Sequence, residues 1–465
     1  MFMVDEEIVV HAFLINDRHV ERPYLISLFD EKITCRQCRR IKGLPEMEQI
    51  KEKNMKDYHD PIRHLKYLRQ SLSQDNEAIG FFLSAGCPLS VTMSEGEWPL
   101  IPDVQNLTVA INDELKSNQK YILLLEELGK SERNTKNIED ILSFLRSLLL
   151  VSRGGSVRGL TEDELLDLER DICSVIVRKL DVKLPNQETP YHRLCNWIGS
   201  IDRKVAVEVF TTNYDLLMEQ ALEDSMVPYF DGFVGSRRSF FDLRAVEDTL
   251  IPTHWSRLWK IHGSINWYQE KEINNRGEET KKVYRSSEIK QDAAHLIYPS
   301  HLKYEESRKM PYLALIDQLS RFIRKKSSLL ILSGYSFNDG HLNDTIINAL
   351  KANPTAMVLG LMHSTYEDDN DGTVTERYPE AYRLAKHQHN LNIWTFDKAI
   401  IGTSLGDWKK ILTEDDDPDL RGFVSKGKPE DGKPNDVDLI KLGDFSEFTN
   451  FLKKIIGTPR DNRDA

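Results

Sequence analysis

Residues 207–215 read VEVFTTNYD, an apolar run that passes directly into a polar cluster. The apolar pattern predicts a strand over 205–211, and helical spacing resumes over 214–222. A buried strand followed at once by a helix is the repeating unit of parallel α/β sheets. Ligands of such sheets bind beyond the carboxyl ends of the strands. The polar residues between Thr211 and Asp215 therefore occupy a position that is typical of a ligand site.

Strand and helix patterns alternate on both sides of this stretch. Apolar residues at helical spacing predict helices at 61–72, 312–324 and 341–350. Short continuous apolar runs predict strands at 78–83, 258–261, 329–332, 357–361 and 392–396. The alternation predicts an α/β fold, in which a Rossmann-like parallel sheet carries helices on both faces.

The segment at about 113–183 has a different character, because ILLLEEL, DILSFLRSLLL and LLDLERDICSVIVRKL follow one another as helical stretches. Thr161 and Glu164, ahead of the third stretch, have the spacing of a capping box. We predict an all-helical subdomain inserted into the α/β fold. The expected organisation is an N-terminal extension at 1–60 with one strand at 8–14, a main domain at 61–412, and a C-terminal linker and short helix at 413–465.

Charge and hydropathy argue against several classes of function. Lys and Arg number 62 against 74 Asp and Glu, and the net charge of −12 disfavours a protein whose main role is to hold a nucleic-acid backbone. No apolar run reaches the length of a membrane-spanning helix, so we expect no membrane association. The start, MFMVDEEIVV, has acids where a secretory signal has bases, and we expect a cytoplasmic protein.

The cysteines are an odd and scattered set of five, which favours a reducing compartment over a disulfide framework. Cys35 and Cys38 form a lone CxxC pair, whereas a tetrahedral zinc site requires four ligands. No cysteine follows Cys195. We therefore expect no metal site.

Four segments share one design, an apolar strand that ends in glycine or a small polar residue. In the first of them, Ser84, Ala85 and Gly86 allow a tight turn whose N–H groups can approach a pyrophosphate, although an ordinary strand-to-helix turn has the same composition. The segments are GFFLSAGCPLS (80–90), VEVFTTNYD (207–215), LWKIHGSINW (258–267) and LLILSGYSFND (329–339).

Two side chains at these strand ends could take part in chemistry. His262 has the side chain of a general base, since the imidazole pKa is ~6.5, but a histidine at a strand end can also be a satisfied core residue. Asn213 offers both a donor and an acceptor to a sugar hydroxyl or a water. It could equally be a helix N-cap, a role that Asp215 or Thr212 could also fill.

Taken together, the motifs resemble the sirtuin family in its bacterial anti-phage defence branch. Sirtuins carry Gly-Ala-Gly-x-Ser, Ile-Pro-Asp, Thr-Gln-Asn-Ile-Asp, a catalytic His-Gly and Gly-Thr-Ser in this order. The similarity spans about residues 76–400. The matching positions in this chain are 84–88, 101–103, 211–215, 262–263 and 334–336.

The chain departs from the family pattern at two places. Ser84 replaces the first glycine of the loop motif and Pro88 replaces its serine, and both changes reduce backbone freedom. Protein-deacylating sirtuins place a four-cysteine zinc module after the His-Gly pair, and the corresponding interval here contains no cysteine. The resemblance therefore implies a protein without zinc and without the acyl-lysine groove that is normally built beside it.

The resemblance implies that NAD+ is the substrate and that the chain is an NAD+ glycohydrolase, which releases ADP-ribose and nicotinamide. His262 is then expected to act as general base and Asn213 to orient the water and the ribose. Asp215 and Asp103 are expected on the nicotinamide side. The expected NAD+-contacting residues are Ser84, Ala85, Gly86, Asp103, Thr212, Asp215, Gly334, Tyr335 and Ser336.

The resemblance also implies a switch, because an unregulated NAD+ hydrolase would kill its host. We expect an NAD-depleting effector of abortive infection that forms a homo-oligomer and pairs with a HerA-type ATPase. A short Argonaute protein or a direct phage trigger are the alternatives. Rival functions are a non-catalytic NAD or ADP-ribose sensor, a nuclease, and a protein deacylase.

Overall fold

The computed structural model describes residues 57–94, 96–131, 134–248, 251–273, 279–287, 289, 295–297, 311–370, 373–410, 417–427 and 437–456. The strand expected at 8–14 and the Cys35–Cys38 pair lie outside these ranges. The described helices are α1 Pro61–Leu72, α2 Val104–Leu115, α3 Gln119–Lys130, α4 Ile138–Val151, α5 Glu162–Leu180, α6 Pro190–Gly199, α7 Leu217–Asp224, α8 Leu243–Asp248, α9 Tyr312–Ile323, α10 Gly340–Ala352, α11 Pro379–Ala385, α12 Pro418–Arg421 and α13 Phe445–Ile456.

The strands of the central sheet are, in chain order, β1 Asp57–His59, β2 Ile79–Leu83, β3 Glu208–Thr211, β4 Tyr229–Phe230, β5 Ser256–Lys260, β6 Leu329–Ser333, β7 Met357–Leu361, β8 Leu391–Trp394, β9 Lys398–Ile401 and β10 Ser404–Trp408. The spatial order is β1-β10-β9-β8-β7-β6-β2-β3-β5-β4. From β8 to β4 all neighbours are parallel, and β9 is antiparallel to both of its neighbours. The α/β fold with a large, mostly parallel central sheet is therefore confirmed.

Alternate residues of the buried strands enter two separate hydrophobic cores, because successive side chains of a strand point to opposite faces. Phe81 of β2 and Val209 of β3 belong to the core that contains α1, α6 and the helices of the 104–180 segment. Phe82 and Phe210, each the next residue along, belong to the core that contains α9, α10 and α11. The sheet is thus covered by helices on both faces.

A switch in strand order lies between β2 and β6. From β2 the chain passes to β3 and β5 on one side, then returns to β6 on the other side of β2 and continues to β7 and β8. Loops that leave the carboxyl ends of two strands at such a point diverge and leave a crevice for a ligand. The loops after β2 and β6 are the two that carry the Ser84–Gly86 and Gly334–Ser336 motifs.

Helices α2 to α5 fill the interval between β2 and β3, where the sequence predicts an all-helical subdomain. The capping box at the start of α5 is confirmed, since the Thr161 hydroxyl accepts from Glu164 N and the Glu164 carboxylate accepts from Thr161 N. Asn137 caps α4 by accepting from Glu139 N at 2.8 Å. The amino end of α4, at Asn137, Ile138 and Glu139, lines the ligand crevice described below.

The last helix, α13, packs in the core rather than beyond it. Phe448 is fully buried, and its ring centroid lies 6.1 Å from that of Phe81 on β2. Arg193 of α6 donates from Nε to the Thr449 hydroxyl at 3.1 Å. The helix predicted at Phe445–Ile456 is present with these bounds, and it covers the same face of the sheet as α6.

Segments before and after His262 in the chain form a second, antiparallel sheet that the strand and helix patterns did not predict. Its strands are Phe233–Val234, Ser239–Phe241, Gly263–Ile273, Glu279–Arg285 and His295–Ile297. The longest pair within it joins Gly263–Ile273 and Glu279–Arg285 in antiparallel register. Among the described helices, none is long and apolar enough to cross a membrane.

Candidate functional site

A cavity of about 520 Å³ lies beyond the carboxyl ends of the central strands, at the switch in strand order. Loops after β2, β3, β5 and β6 form one wall, and the helical segment forms the other. The expected site residues that line it are Ser84, Ala85, Thr212, Asn213, Asp215, His262, Tyr335 and Ser336. Four segments that are distant along the chain are thereby brought to one space.

Gly86 and Gly334 hold the two central loops in backbone contact. Gly86 N donates to Gly334 O at 3.2 Å, and Ser84 N donates to Ser333 O at 3.0 Å. A Cβ on Gly86 would lie 2.8 Å from Gly334 Cα, and Gly334 has a φ of +69°. Neither glycine lines the cavity itself. Their contribution is the close approach of the loops, which residues with a side chain could not make.

Ser84 links the first loop to the end of β3. Its hydroxyl lies 2.7 Å from the Thr212 hydroxyl, and both residues are buried. The Ser84 carbonyl accepts from Asn213 Nδ2 at 3.3 Å. The serine that replaces the first glycine of the family motif therefore gives the loop a hydrogen bond that glycine could not make, and the same loop positions the Asn213 amide.

His262 follows β5 and faces the cavity with only 7 % of its surface exposed. Its Nε2 atom lies 3.4 Å from Oδ2 of Asp339, the N-cap residue of α10. Asp339 also lines the cavity. Sequence reasoning missed Asp339, although the signal was present: an aspartate at the end of SGYSFND, directly before a predicted helix.

Asp215 is buried and is one of the residues that line the cavity. Burial raises its pKa to about 6, although the nearby Lys260 ammonium and the hydrogen bond from Leu217 N oppose this change. Lys260 is itself fully buried, donating to the Asp215 carbonyl and, at 2.8 Å, to Glu219 Oε1. A buried ion pair thus supports the loop that carries Asn213.

Asp103 and Tyr335 have other partners than those expected from the sequence. The Asp103 carboxylate caps α2 by accepting from Asn106 N at 2.8 Å, and it is absent from the cavity wall that its neighbours Pro102 and Val104 help to form. The Tyr335 hydroxyl donates to Asn343 Oδ1 at 2.8 Å. Burial raises the pKa of Tyr335, so its hydroxyl stays neutral.

The helical segment closes the cavity from the side opposite the sheet. Ile138, Leu142, Ile176 and Leu180 supply an apolar surface, and Asn134, Lys136, Asn137 and Glu139 supply polar groups. The pKa of Tyr214 lies well above its usual range; burial is the largest cause, and the nearby Glu139 carboxylate is the next. Lys136 is the only lysine or arginine among the described residues that line the cavity.

The wall therefore combines a loop of small residues, an amide, an imidazole, several carboxylates and an apolar surface. This set suits a polar ligand that contains both a phosphate and a flat ring. Within the described part of the chain, no group of three or more His, Cys, Asp and Glu side chains is placed to hold a metal ion.

A family model described as a SIR2-like domain matches residues 207–388. This range includes Thr212, Asn213, Asp215, His262 and the Gly334–Ser336 loop, and it begins after the Ser84–Gly86 loop. The match supports a sirtuin-like family and points to a NAD-using class of enzyme.

No curated protein matches the chain. Among solved structures, one described as "Structure of Sir2Tm bound to a propionylated peptide" aligns over 64 % of this chain and 85 % of that chain, with 12 % sequence identity and a TM-score of 0.26. An alignment at this level carries no argument about substrate or partner.

Proposed function

We propose that this protein is an NAD+ glycohydrolase that converts NAD+ and water to ADP-ribose and nicotinamide. The observation that carries the proposal is that Asn213 and His262 line one cavity together with Ser84 and Ala85 of the first loop and Tyr335 and Ser336 of the second. An amide and an imidazole at the same ribose are the groups that a water-dependent cleavage of the glycosidic bond requires.

Binding of the dinucleotide is assigned to the loops at the strand switch. Backbone N–H groups of small residues can approach a pyrophosphate closely. Ala85 and Ser336 line the cavity, and the contact between Gly86 and Gly334 holds their two loops together. Lys136, on the opposite wall, offers a positive charge to the same phosphates. The apolar surface of Ile138, Leu142 and Ile176 is suited to covering a flat ring.

The bond between ribose C1′ and nicotinamide breaks through a transition state in which positive charge develops on the ribose. Asp215, whose pKa of about 6 leaves it largely ionised at pH 7, lies on this wall beside Asn213. A fixed negative group in a site that excludes bulk water stabilises such charge. Nicotinamide leaves with the electron pair of the broken bond, and water adds to C1′ as His262 accepts its proton.

Water, rather than an acyl group, is the proposed nucleophile. The interval after His262 contains no cysteine and forms the β-hairpin of Gly263–Ile273 and Glu279–Arg285. This hairpin stands in place of the zinc module that the family resemblance associates with acyl-lysine binding. If the protein binds NAD+ saturably but releases no nicotinamide, it is instead a non-catalytic sensor.

The test is hydrolysis of etheno-NAD by purified protein, followed by fluorescence. His262→Ala and Asn213→Ala are each expected to lower turnover at least 100-fold, since a general base contributes ~10²–10⁴-fold, while the circular dichroism spectrum is unchanged. His389→Ala, at an exposed position far along the chain, serves as the matched control. Normal turnover by either site variant would remove the role assigned to that residue.

The proposed biological role is depletion of NAD+ in an anti-phage abortive-infection system, with a homo-oligomer and a HerA-type ATPase as partner. The support is the family resemblance of the motifs at 84–88, 211–215, 262–263 and 334–339. Co-purification with a HerA-type ATPase, and etheno-NAD hydrolysis measured with and without it, test this role. Equal turnover in both conditions, with no complex on gel filtration, would exclude this partner.

A further inference from the structure

Asp339 and His262 face each other in the cavity although they come from different strand ends. The distance between His262 Nε2 and Asp339 Oδ2 is 3.4 Å, and only 9 % and 12 % of the two side chains are exposed. At such a distance in a largely water-excluded site, a carboxylate interacts much more strongly with an imidazolium than it would in water.

The Asp339 carboxylate is held in place by the helix that it caps. Oδ1 accepts from His341 N at 3.1 Å and from Leu342 N at 3.2 Å. The amino end of α10, a helix of 13 residues, adds a favourable field for a negative group. With one oxygen fixed in this way, the other oxygen is directed toward His262.

We propose that Asp339 is a positioning residue that acts through His262: it orients the imidazole and stabilises its protonated form. The inference rests on the proposed hydrolysis. In that reaction a water O–H proton passes to His262, the water oxygen bonds to ribose C1′, and the C1′–nitrogen bond breaks with its electron pair leaving on nicotinamide. The imidazolium then releases the proton to solvent, and Asp339 remains ionised throughout.

The role of Asp339 as the cap of α10 and its pairing with His262 can be separated by substitution, because asparagine caps a helix about as well as aspartate. Asp339→Asn keeps an acceptor for the α10 N–H groups and removes the negative charge beside His262. We expect kcat for NAD+ to fall about 10- to 100-fold, with KM and the unfolding midpoint unchanged. Asp444→Asn makes the same change at the start of α13, where Oδ1 accepts from Ser446 N at 2.8 Å, and should leave all three quantities unchanged.

A double-variant comparison tests whether Asp339 acts through His262. In a His262→Ala background, Asp339→Asn is expected to cause no further loss of kcat, because the group that it serves is absent. If Asp339→Asn causes its full loss of kcat in the His262→Ala background as well, or raises KM at constant kcat, Asp339 acts on the substrate or only on the fold. Either result would overturn the proposal.

A measurement without substrate separates this inference from the proposed function. ¹⁵N-histidine NMR, with His262→Ala for assignment, is expected to show that Asp339→Asn lowers the pKa of His262 by ~1 unit or more. The other titratable side chains that line the described cavity, Lys136, Glu139, Tyr214, Asp215 and Tyr335, are the same in both proteins. An unchanged pKa refutes the pairing. A lowered pKa in a protein that never hydrolyses NAD+ keeps the pairing and refutes the reaction.

Discussion

Replacement of Gly334 by alanine is expected to break the contact between the two loops that hold the dinucleotide. Gly334 has a φ of +69°, and a Cβ there would lie 2.7 Å from Cys87 N and 3.0 Å from Gly86 Cα. These neighbours are backbone atoms, which cannot rotate away as a flexible side chain can. The substitution therefore combines backbone strain with a steric clash at the centre of the site.

The size of the effect follows from the two contributions. An L-residue in the left-handed region costs ~1–2 kcal/mol, and insertion of a methyl group into a well-packed region costs ~1–3 kcal/mol. The free energy of unfolding of Gly334→Ala should thus fall by about 2–5 kcal/mol. Because the loops after β2 and β6 must separate to accept the methyl group, KM for NAD+ should rise as well.

Gly402→Ala is the matched control for backbone strain alone. Gly402 has a φ of +57° in the turn between β9 and β10, and nothing lies within 4 Å of a Cβ there. The free energy of unfolding of Gly402→Ala should fall by only ~1–2 kcal/mol, and its KM for NAD+ should be unchanged. Urea unfolding followed by circular dichroism gives both free energies, and the difference between the variants isolates the clash.

Equal destabilisation of Gly334→Ala and Gly402→Ala would contradict the close approach of the loops. A Gly334→Ala variant that is strongly destabilised but binds NAD+ with unchanged affinity would instead contradict the assignment of the dinucleotide to these loops. In the first case the methyl group is accommodated without moving the loops. In the second the loop pair does not hold the dinucleotide, and the pyrophosphate site lies elsewhere.

Two further changes test the burial of single residues. Because the pKa of Asp215 is raised from 3.8 to about 6 in the folded protein, its ionisation destabilises the fold as pH rises from 4 to 8. Between pH 4 and pH 8 the free energy of unfolding of Asp215→Asn should therefore rise by about 3 kcal/mol relative to that of wild type. If urea unfolding shows a difference between the two proteins that does not change with pH, this sign is wrong. Phe448→Ala should lower the free energy of unfolding by ~3–5 kcal/mol, whereas Met226→Ala, at an 89 % exposed side chain, should change it by less than ~0.5 kcal/mol.

Most elements of the sheet could be predicted because their signal is local. The runs at 329–332 and 357–361 are short, apolar and buried on both faces, and they correspond to β6 Leu329–Ser333 and β7 Met357–Leu361. The second, antiparallel sheet was missed, because its two longest strands, Gly263–Ile273 and Glu279–Arg285, are rich in charged and polar residues. Pairing between its strands, rather than apolar periodicity, gives it its structure.

The residues of the candidate site were likewise predictable only in part. The sequence indicates Asn213 and His262 because polar side chains follow predicted strands, and the fold places both at one cavity. It could not indicate that the Asp103 carboxylate caps α2, since an aspartate in a loop can serve a helix or a ligand equally well. Nor could it indicate Asp339, whose distance from His262 depends on the position of α10 relative to β5.

By itself, the sequence determined that strands alternate with helices and that four of the strands end in glycine or a small polar residue, because burial periodicity and capping act over a few neighbouring residues. Only the tertiary structure decided which strand ends meet. The Ser84–Thr212 hydrogen bond, the contact between Gly86 and Gly334, and the approach of Asp339 to His262 all depend on strand order. That order is set by the packing of two hydrophobic cores against a shared sheet, a non-local property to which residues far apart in the chain contribute together.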